Sequence, residues 1–512
     1  MRARIATTLS AVALALLPSC APVNSAKSPA QEPAAIGEAA PKDPAAWRLA
    51  IPTPGVKSTL SFPTPHLLTL ENGLRLYSLP TQASTLSLSV VIRHDVQTLP
   101  NDKPGLAALT ARLLTEGTTV HPDLKLAEAI EALGTDFTVD TGRDGTTISI
   151  EALPADLDAA LKLLAEVAIK PAFSPKTFDR VRAQWVDNVR ESLQDPRSLS
   201  SIIGFEALLG KGLGTPVHGY PDALLRYTVQ DIVRCHSTVY LPGNASLNVV
   251  GDFDPTTLTK LVQKHFGEWR KRAGAQRPIL PTLPAATTTT TTTTHVLLLD
   301  RPRSPQSAIF VAHTLPARGA PGYAERELLV TAFGGLFTSR LNQNLRESKA
   351  YTYGAFGNYL ATRHFGALAI STSVETKFTA DAVREIVREL SDLGLPTTPR
   401  PLVSDEVDRA RADIVHSLVE HLGHTNRISA DLVQLFVHDL PLDQLAKLTA
   451  EIQAVPLDAL RRTATELIKP TTLTIAIVGD AASIRPALNA LGYPVKDVQK
   501  LGDGESLQPS PM

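Results

Sequence analysis

Asp179-Arg180-Val181-Arg182-Ala183 and Asp408-Arg409-Ala410-Arg411-Ala412 head two helical stretches that lie 229 residues apart. Val250-Gly251-Asp252 and Val478-Gly479-Asp480 each close an apolar strand, 228 residues apart. Earlier, Pro104-Gly105 opens a helix after the strand Leu86–Arg93, and Pro321-Gly322 opens one after Ala308–His313, at an offset of 217. Three landmarks in the same order at nearly one offset identify an internal duplication of a domain of about 210 residues.

Composition-biased segments mark the borders of the two copies. Pro281 to Thr294 ends in eight consecutive threonines, Thr287 to Thr294, and a run of β-branched polar residues has no apolar face to bury. The reading is therefore an N-terminal domain over 63–276, a Pro/Thr linker over 277–294, a C-terminal domain over 295–502 and a tail over 503–512. Within the copies, Asn72-Gly73 between two short apolar runs predicts a hairpin. Leu86–Val91 (LSLSVV) and Thr146–Glu151 (TTISIE) alternate as half-buried strands do. Leu106–Leu114, Asp156–Ile169, Pro175–Ser192 and Leu258–Trp269 have helical apolar spacing. Hairpin-paired strands with helices set to one side give an α+β class rather than a doubly wound sheet.

The 512 residues suffice for two or three domains. Fifty Lys plus Arg against 51 Asp plus Glu leave a net charge of −1, which argues against a nucleic-acid partner. Two cysteines cannot build a disulfide framework. Met1-Arg2-Ala3-Arg4 followed by the apolar run Ala11–Leu17 has signal-peptide anatomy over residues 1–19. Leu17-Pro18-Ser19-Cys20 resembles a bacterial lipobox, which makes Cys20 a lipidated first residue facing the periplasm; ordinary secretory cleavage beside a stray cysteine is the alternative. Residues 20–62, rich in Pro and Ala, read as a tether, and Cys235 as a buried free thiol.

A strand-hairpin-strand followed by Pro-Gly-Leu at a helix start, in a duplicated chain, resembles the pitrilysin/insulinase-like zinc peptidases. A second block carries the resemblance: Gly334-Gly335-Leu336-Phe337-Thr338-Ser339-Arg340-Leu341, then Leu345-Arg346-Glu347-Ser348-Lys349-Ala350-Tyr351-Thr352-Tyr353-Gly354. The resemblance implies two homologous α/β-roll domains forming a clamshell. It also implies an inverted His-x-x-Glu-His zinc motif on the helix after Gly105. Here the two histidine positions hold Ala108 and Arg112, the base position holds Ala111, and the place of the third ligand holds Asn188. Alanine cannot ligate, and a permanently charged guanidinium repels a dication. Glu191, one turn from Asn188, does not make a catalytic site by itself. No metal is expected in this chain.

The resemblance further implies that Arg346 and Tyr353 bind substrate backbone and stabilise the oxyanion, with Gly334 and Gly335 beside the substrate. Arg340 reads as structural, and Tyr351 could replace Tyr353 if the register slips by two. The bland alternative is an ion pair at Arg346 and a core tyrosine. The sequence thus points to the zinc-free subunit of a heteromeric peptidase acting on unstructured peptides, its zinc-bearing sibling holding the metal. A catalytically silent scaffold or peptide-binding protein of the same fold is the alternative. The histidine-rich stretch His416–His424 has the wrong spacing for the inverted motif and reads as a solvated helix face. His94, His121 and His218 read as structural.

Overall fold

The computed structural model describes residues 62–94, 103–210, 212–270, 293–394 and 397–498. The signal-peptide, Cys20, tail and most of the tether and threonine-run readings lie outside these residues.

The first half forms a six-stranded sheet in the order β1-β2-β6-β3-β5-β4 from β1 (His66–Thr69), β2 (Arg75–Pro80), β3 (Leu86–Arg93), β4 (Phe137–Thr141), β5 (Gly145–Ala152) and β6 (Ala245–Gly251). The second forms a sheet in the order β12-β7-β11-β8-β10-β9. Its strands are β7 (His295–Asp300), β8 (Gln306–Leu315), β9 (Ala355–Ala361), β10 (Gly366–Glu375), β11 (Thr474–Gly479) and β12 (Val495–Asp497). Five strands correspond one to one. The sixth, at the β2/β7 edge, is the first strand of the hairpin in the first copy and comes from the C-terminal end in the second. Pairing is antiparallel except for β2–β6, β7–β11 and β7–β12.

The local readings translate into observed elements. β1 and β2 pair around Asn72-Gly73, and the Asn72 amide donates to the Phe266 carbonyl at 2.7 Å, tying the hairpin to a helix end. The Pro-Gly landmarks place Gly105 and Gly322 in the left-handed region, φ 82° and 79°, immediately before the helices Leu106–Leu113 and Tyr323–Val330. The helix Pro175–Ser192 starts on a Ser174 cap that accepts from the Thr177 N–H, and Pro196–Leu209 starts on an Asp195 cap. Their counterparts in the second half are Ser404–His421 and Thr425–Val437.

These second helices join the halves. Pro196–Leu209 leaves its own half and lies on the second sheet, where Leu199, Ile203, Leu208 and Leu209 bury against Leu297, Ala308, Phe310 and Val478. Thr425–Val437 makes the reciprocal move, and Ile428, Leu432, Leu435 and Phe436 bury against Tyr77, Leu79, Val91 and Val250. Each large apolar side chain so buried contributes roughly 1.5–3 kcal/mol. Arg93 of β3 adds a polar tie by donating to both Asp439 carboxylate oxygens at 2.9 and 3.1 Å. Burial disfavours that carboxylate, but Arg93 and Arg75 outweigh burial and hold its pKa below the usual value.

The exchange corrects two expectations. Alternation in LSLSVV predicts a strand with one wet face, yet all eight residues of β3 are buried. Leu86, Leu88, Val90 and Ile92 face their own core, whereas Ser89 and Val91 meet the helix from the other half. Each half thus keeps its remaining helices on one face of its sheet, as expected, and the helix from the other half covers the second face. The linker reading also ends too late: Thr294 is buried, accepts from the Leu473 N–H at 2.9 Å and belongs to the packed start of β7.

Candidate functional site

The helix Leu106–Leu113, where the resemblance places the zinc motif, is filled as a core element. Ala108 and Ala111 are buried, with no polar atom to offer beyond the backbone. Arg112 turns to Glu116 at 2.7 Å, and Arg180 from the helix Pro175–Ser192 joins the same carboxylate. Asn188 and Glu191 are exposed on that second helix. The donor set does not fit a divalent metal: a methyl, a guanidinium and an amide stand where two imidazoles and a ligating carboxylate are needed, and a second methyl stands at the base position. Nearby, the buried Cys235 thiol has its pKa raised to about 11 by desolvation, which makes it inert as a nucleophile.

The second-half block forms a different site, on irregular backbone. Thr331–Gly335 and Gln343–Ser348 are π-helical turns flanking the short helix Arg340–Asn342. Wide turns of this kind recur at functional positions. Gly334 is buried against β9, where an added Cβ would stand 2.6 Å from the Gly357 nitrogen, so glycine is required there by backbone approach. Gly335 is exposed. Arg340 is structural, as expected: it grips Glu406 with two nitrogens at 2.8 and 2.6 Å and caps the Arg400 and Pro401 carbonyls.

Arg346 sits within the second π turn. Its side chain is 32% exposed, and its Nε lies 3.5 Å from Glu347. Its Nη1 is buried without a hydrogen-bond acceptor among the described residues. The chain then reverses: the Ala350 N–H donates to the Arg346 carbonyl at 3.1 Å, and Ala350 itself has φ 53°. Tyr353 follows this bend from helix end towards β9 and is 92% exposed. It is therefore no core tyrosine, although the Arg346–Glu347 ion pair of the bland alternative does exist. Tyr351 stacks on Phe378 with ring centroids 4.5 Å apart and packs against the core, which leaves Tyr353 as the tyrosine presented to solvent.

Two residues that sequence reasoning passed over build this block. Asn342 is fully buried; its side chain accepts from the Ala355 N–H at 2.9 Å and donates to the Leu336 carbonyl at 3.2 Å, bracing the loop against β9. Asn344 donates to Glu385 and Glu389 at 2.8 and 2.6 Å, anchoring the turn that carries Arg346. An asparagine every second residue before Arg346 was the available signal, but nothing local distinguishes a buried amide from a solvated one.

The histidines take structural places. His94 bonds Thr146 at 2.7 Å, His121 meets Glu166 at 2.6 Å, and His218 packs edge-on against Trp185. In the His416–His424 stretch, His416 and His424 are exposed and His421 bonds Asp431 at 3.2 Å.

A duplicated α+β chain with an irregular Gly-Gly to Tyr-Gly block is the architecture of the insulinase-like peptidases. Residues 77–206 match the family description "Insulinase (Peptidase family M16)" and residues 226–410 match "Peptidase M16 inactive domain". The chain belongs to this M16 family, in a form whose zinc-motif positions hold other residues. An uncharacterized zinc protease of Mycobacterium leprae is 24% identical over 290 residues, 56% of this chain; the match spans 64% of that relative's length. Cytochrome b-c1 complex subunit 1 of Caenorhabditis elegans is 22% identical over 432 residues, covering 80% of this chain and 87% of the relative. Among solved structures, a protease from Helicobacter pylori superposes with a TM-score of 0.73 at 18% identity, covering 81% of this chain and all of that one. A peptidase M16 inactive domain from Pseudomonas fluorescens gives 0.70 at 20% identity, covering 81% and 98%. At these identities the structural likeness carries the fold.

Proposed function

We propose that this chain is the zinc-free subunit of a heteromeric insulinase-like peptidase, and that it lends Arg346 and Tyr353 to the cleft of a zinc-bearing sibling. The observation that carries this reading is an asymmetry within one molecule. The zinc-motif helix positions are absorbed into core and ion pair, while the Arg346 side chain stays 32% exposed and Tyr353 92% exposed. In such a complex the metal and the attacking water belong to the partner. This chain's guanidinium and phenol donate to the carbonyl oxygen of an unstructured peptide as negative charge grows on it. Cys20 supplies a lipid anchor, and the pair works on the periplasmic side of a bacterial envelope.

A scaffold without catalytic duty is favoured by one observation, the similarity to subunit 1 of the cytochrome b-c1 complex. Co-expression with a sibling bearing intact His-x-x-Glu-His separates the two. The heteromer reading expects a stable complex whose peptidase activity needs both chains. A sibling equally active alone, or no complex between them, overturns it in favour of the scaffold.

A further inference from the structure

Phe337, in the loop after the first π turn, is 60% exposed, an unusual state for a phenyl ring on a well-packed domain. One part of it is occupied: the guanidinium carbon of Arg346 lies 4.0 Å from its ring centroid. A cation over an aromatic face is held by the ring quadrupole, so Phe337 is a shelf that fixes the guanidinium. Glu347, at 3.5 Å from Nε, is the other contact holding it. Between them they leave Nη1 buried and without an acceptor among the described residues. The rest of the guanidinium, on a side chain that is 32% exposed, has donors open to a carbonyl oxygen. The exposed remainder of the ring stands beside the guanidinium and offers apolar surface.

We propose that Phe337 is both the positioning residue for Arg346 and the contact for a large apolar side chain of the bound peptide. The substrate class is then an extended peptide that places an apolar side chain on Phe337 while a neighbouring carbonyl accepts from the exposed part of the Arg346 guanidinium. Tyr353, in the same block, and Phe356, at the start of β9, are also exposed. The inference rests on the reading of Arg346 as a peptide-binding group.

The test uses the purified chain and two fluorescein-labelled unstructured peptides identical except for one central residue, Phe or Ser, titrated by fluorescence anisotropy. Wild type should prefer the Phe peptide by about tenfold, the effect of covering part of one aromatic side chain. Phe337→Ala should weaken binding of the Phe peptide and abolish the preference. Phe337→Tyr should restore it, which a merely structural role would not require. Arg346→Ala should weaken both peptides alike. If Phe337→Ala keeps affinity and preference while Arg346→Ala weakens binding, the Phe337 assignment is overturned and the Arg346 site stands. If neither variant changes binding, or wild type binds neither peptide at millimolar concentration, both are overturned. Phe337 is exposed, so unchanged melting temperatures should accompany every result.

Discussion

The hydroxyl oxygens of Ser89 and Ser429 lie 3.1 Å apart, one on the central strand of the first sheet and the other on a helix that belongs to the second half of the chain. Asn248 donates to the same Ser89 oxygen at 3.2 Å, so the pair is buried and satisfied. This contact stands at the centre of one of two reciprocal seams, and the seams make the halves mechanically dependent on each other.

Phe436 tests that dependence. It is fully buried in the seam, edge-on to Tyr77 and beneath the Arg93 and Arg75 guanidinium groups. Phe436→Ala should cost about 3–5 kcal/mol, as deletions of buried aromatics do. Calorimetry should show the variant unfolding in one lowered transition. Two separate transitions, with one at the wild-type temperature, would contradict the interlock.

Within a complex containing a zinc-bearing sibling, Arg346→Ala and Tyr353→Phe should each lower kcat by roughly 10²-fold, the scale of removing one oxyanion donor. Assembly and KM should change less, because the contacts strengthen in the transition state. Glu347 looks like a neutral neighbour in the sequence, but it contacts Arg346 and is unsuitable as a control. Exposed Lys349, 3.9 Å from Glu385, serves better, and Lys349→Ala should leave kcat within about twofold of wild type, as surface pairs contribute little. Wild-type kcat in both site variants would remove the catalytic role.

Purified without a polyhistidine tag from zinc-supplemented medium, the chain should carry well below one equivalent of zinc by elemental analysis. Arg112 and the two buried alanines do not form a cation site. Stoichiometric zinc that survives dialysis would point instead to the His416–His424 stretch or to residues outside those described.

His236 predicts a specific acid sensitivity. Burial lowers its pKa from 6.5 to about 4, against a smaller raising effect of the hydrogen bond its Nε2 donates to the Ala168 carbonyl at 3.0 Å. The unfolded chain takes up this proton below 6.5 and the folded chain only below about 4, so stability falls as pH drops across that window. The linked loss is about 3 kcal/mol. His218, His295 and His313 are lowered by burial too, so the whole protein has a steeper slope. His236→Gln should reduce that slope by one proton between pH 4.5 and 6 in urea titrations, a range bracketed by the two pKa values. An unchanged slope would mean that His236 titrates as an exposed residue.

Expressed with its own leader in a bacterium, the chain should incorporate labelled fatty acid and sediment with membranes, and Cys20→Ala should abolish both. Acyl chains bind membranes at about 0.8 kcal/mol per buried methylene, enough for several chains to hold the protein there. A soluble, unlabelled wild-type product contradicts the lipobox.

Local chemistry made much of the fold readable. The Asn72-Gly73 hairpin and the helix Pro175–Ser192 were legible because turn chemistry and apolar spacing are properties of neighbouring residues. Arg346 and Tyr353 were singled out for another reason, their place in a block that resembles the family's, and the structure adds that the first is partly exposed and the second fully so. Phe337 and Asn342 were not, since exposure of a phenyl ring and burial of an amide depend on what arrives from elsewhere.

The sequence by itself determined the duplication and the α+β class, because these depend on residue identity, period and offset. The family resemblance then marked Ala108, Ala111, Arg112 and Asn188 as the occupants of the zinc-motif positions. Only the tertiary structure decided that the polar alternation of β3 faces a helix from the other half rather than water. The hydroxyl of Ser89 suits either environment, and its pattern along the strand is the same in both. The same holds for Arg346, whose charge and position are written in the chain. Its orientation over Phe337, with one nitrogen lacking an acceptor, exists only once two π turns and a positive-φ bend bring the loop together.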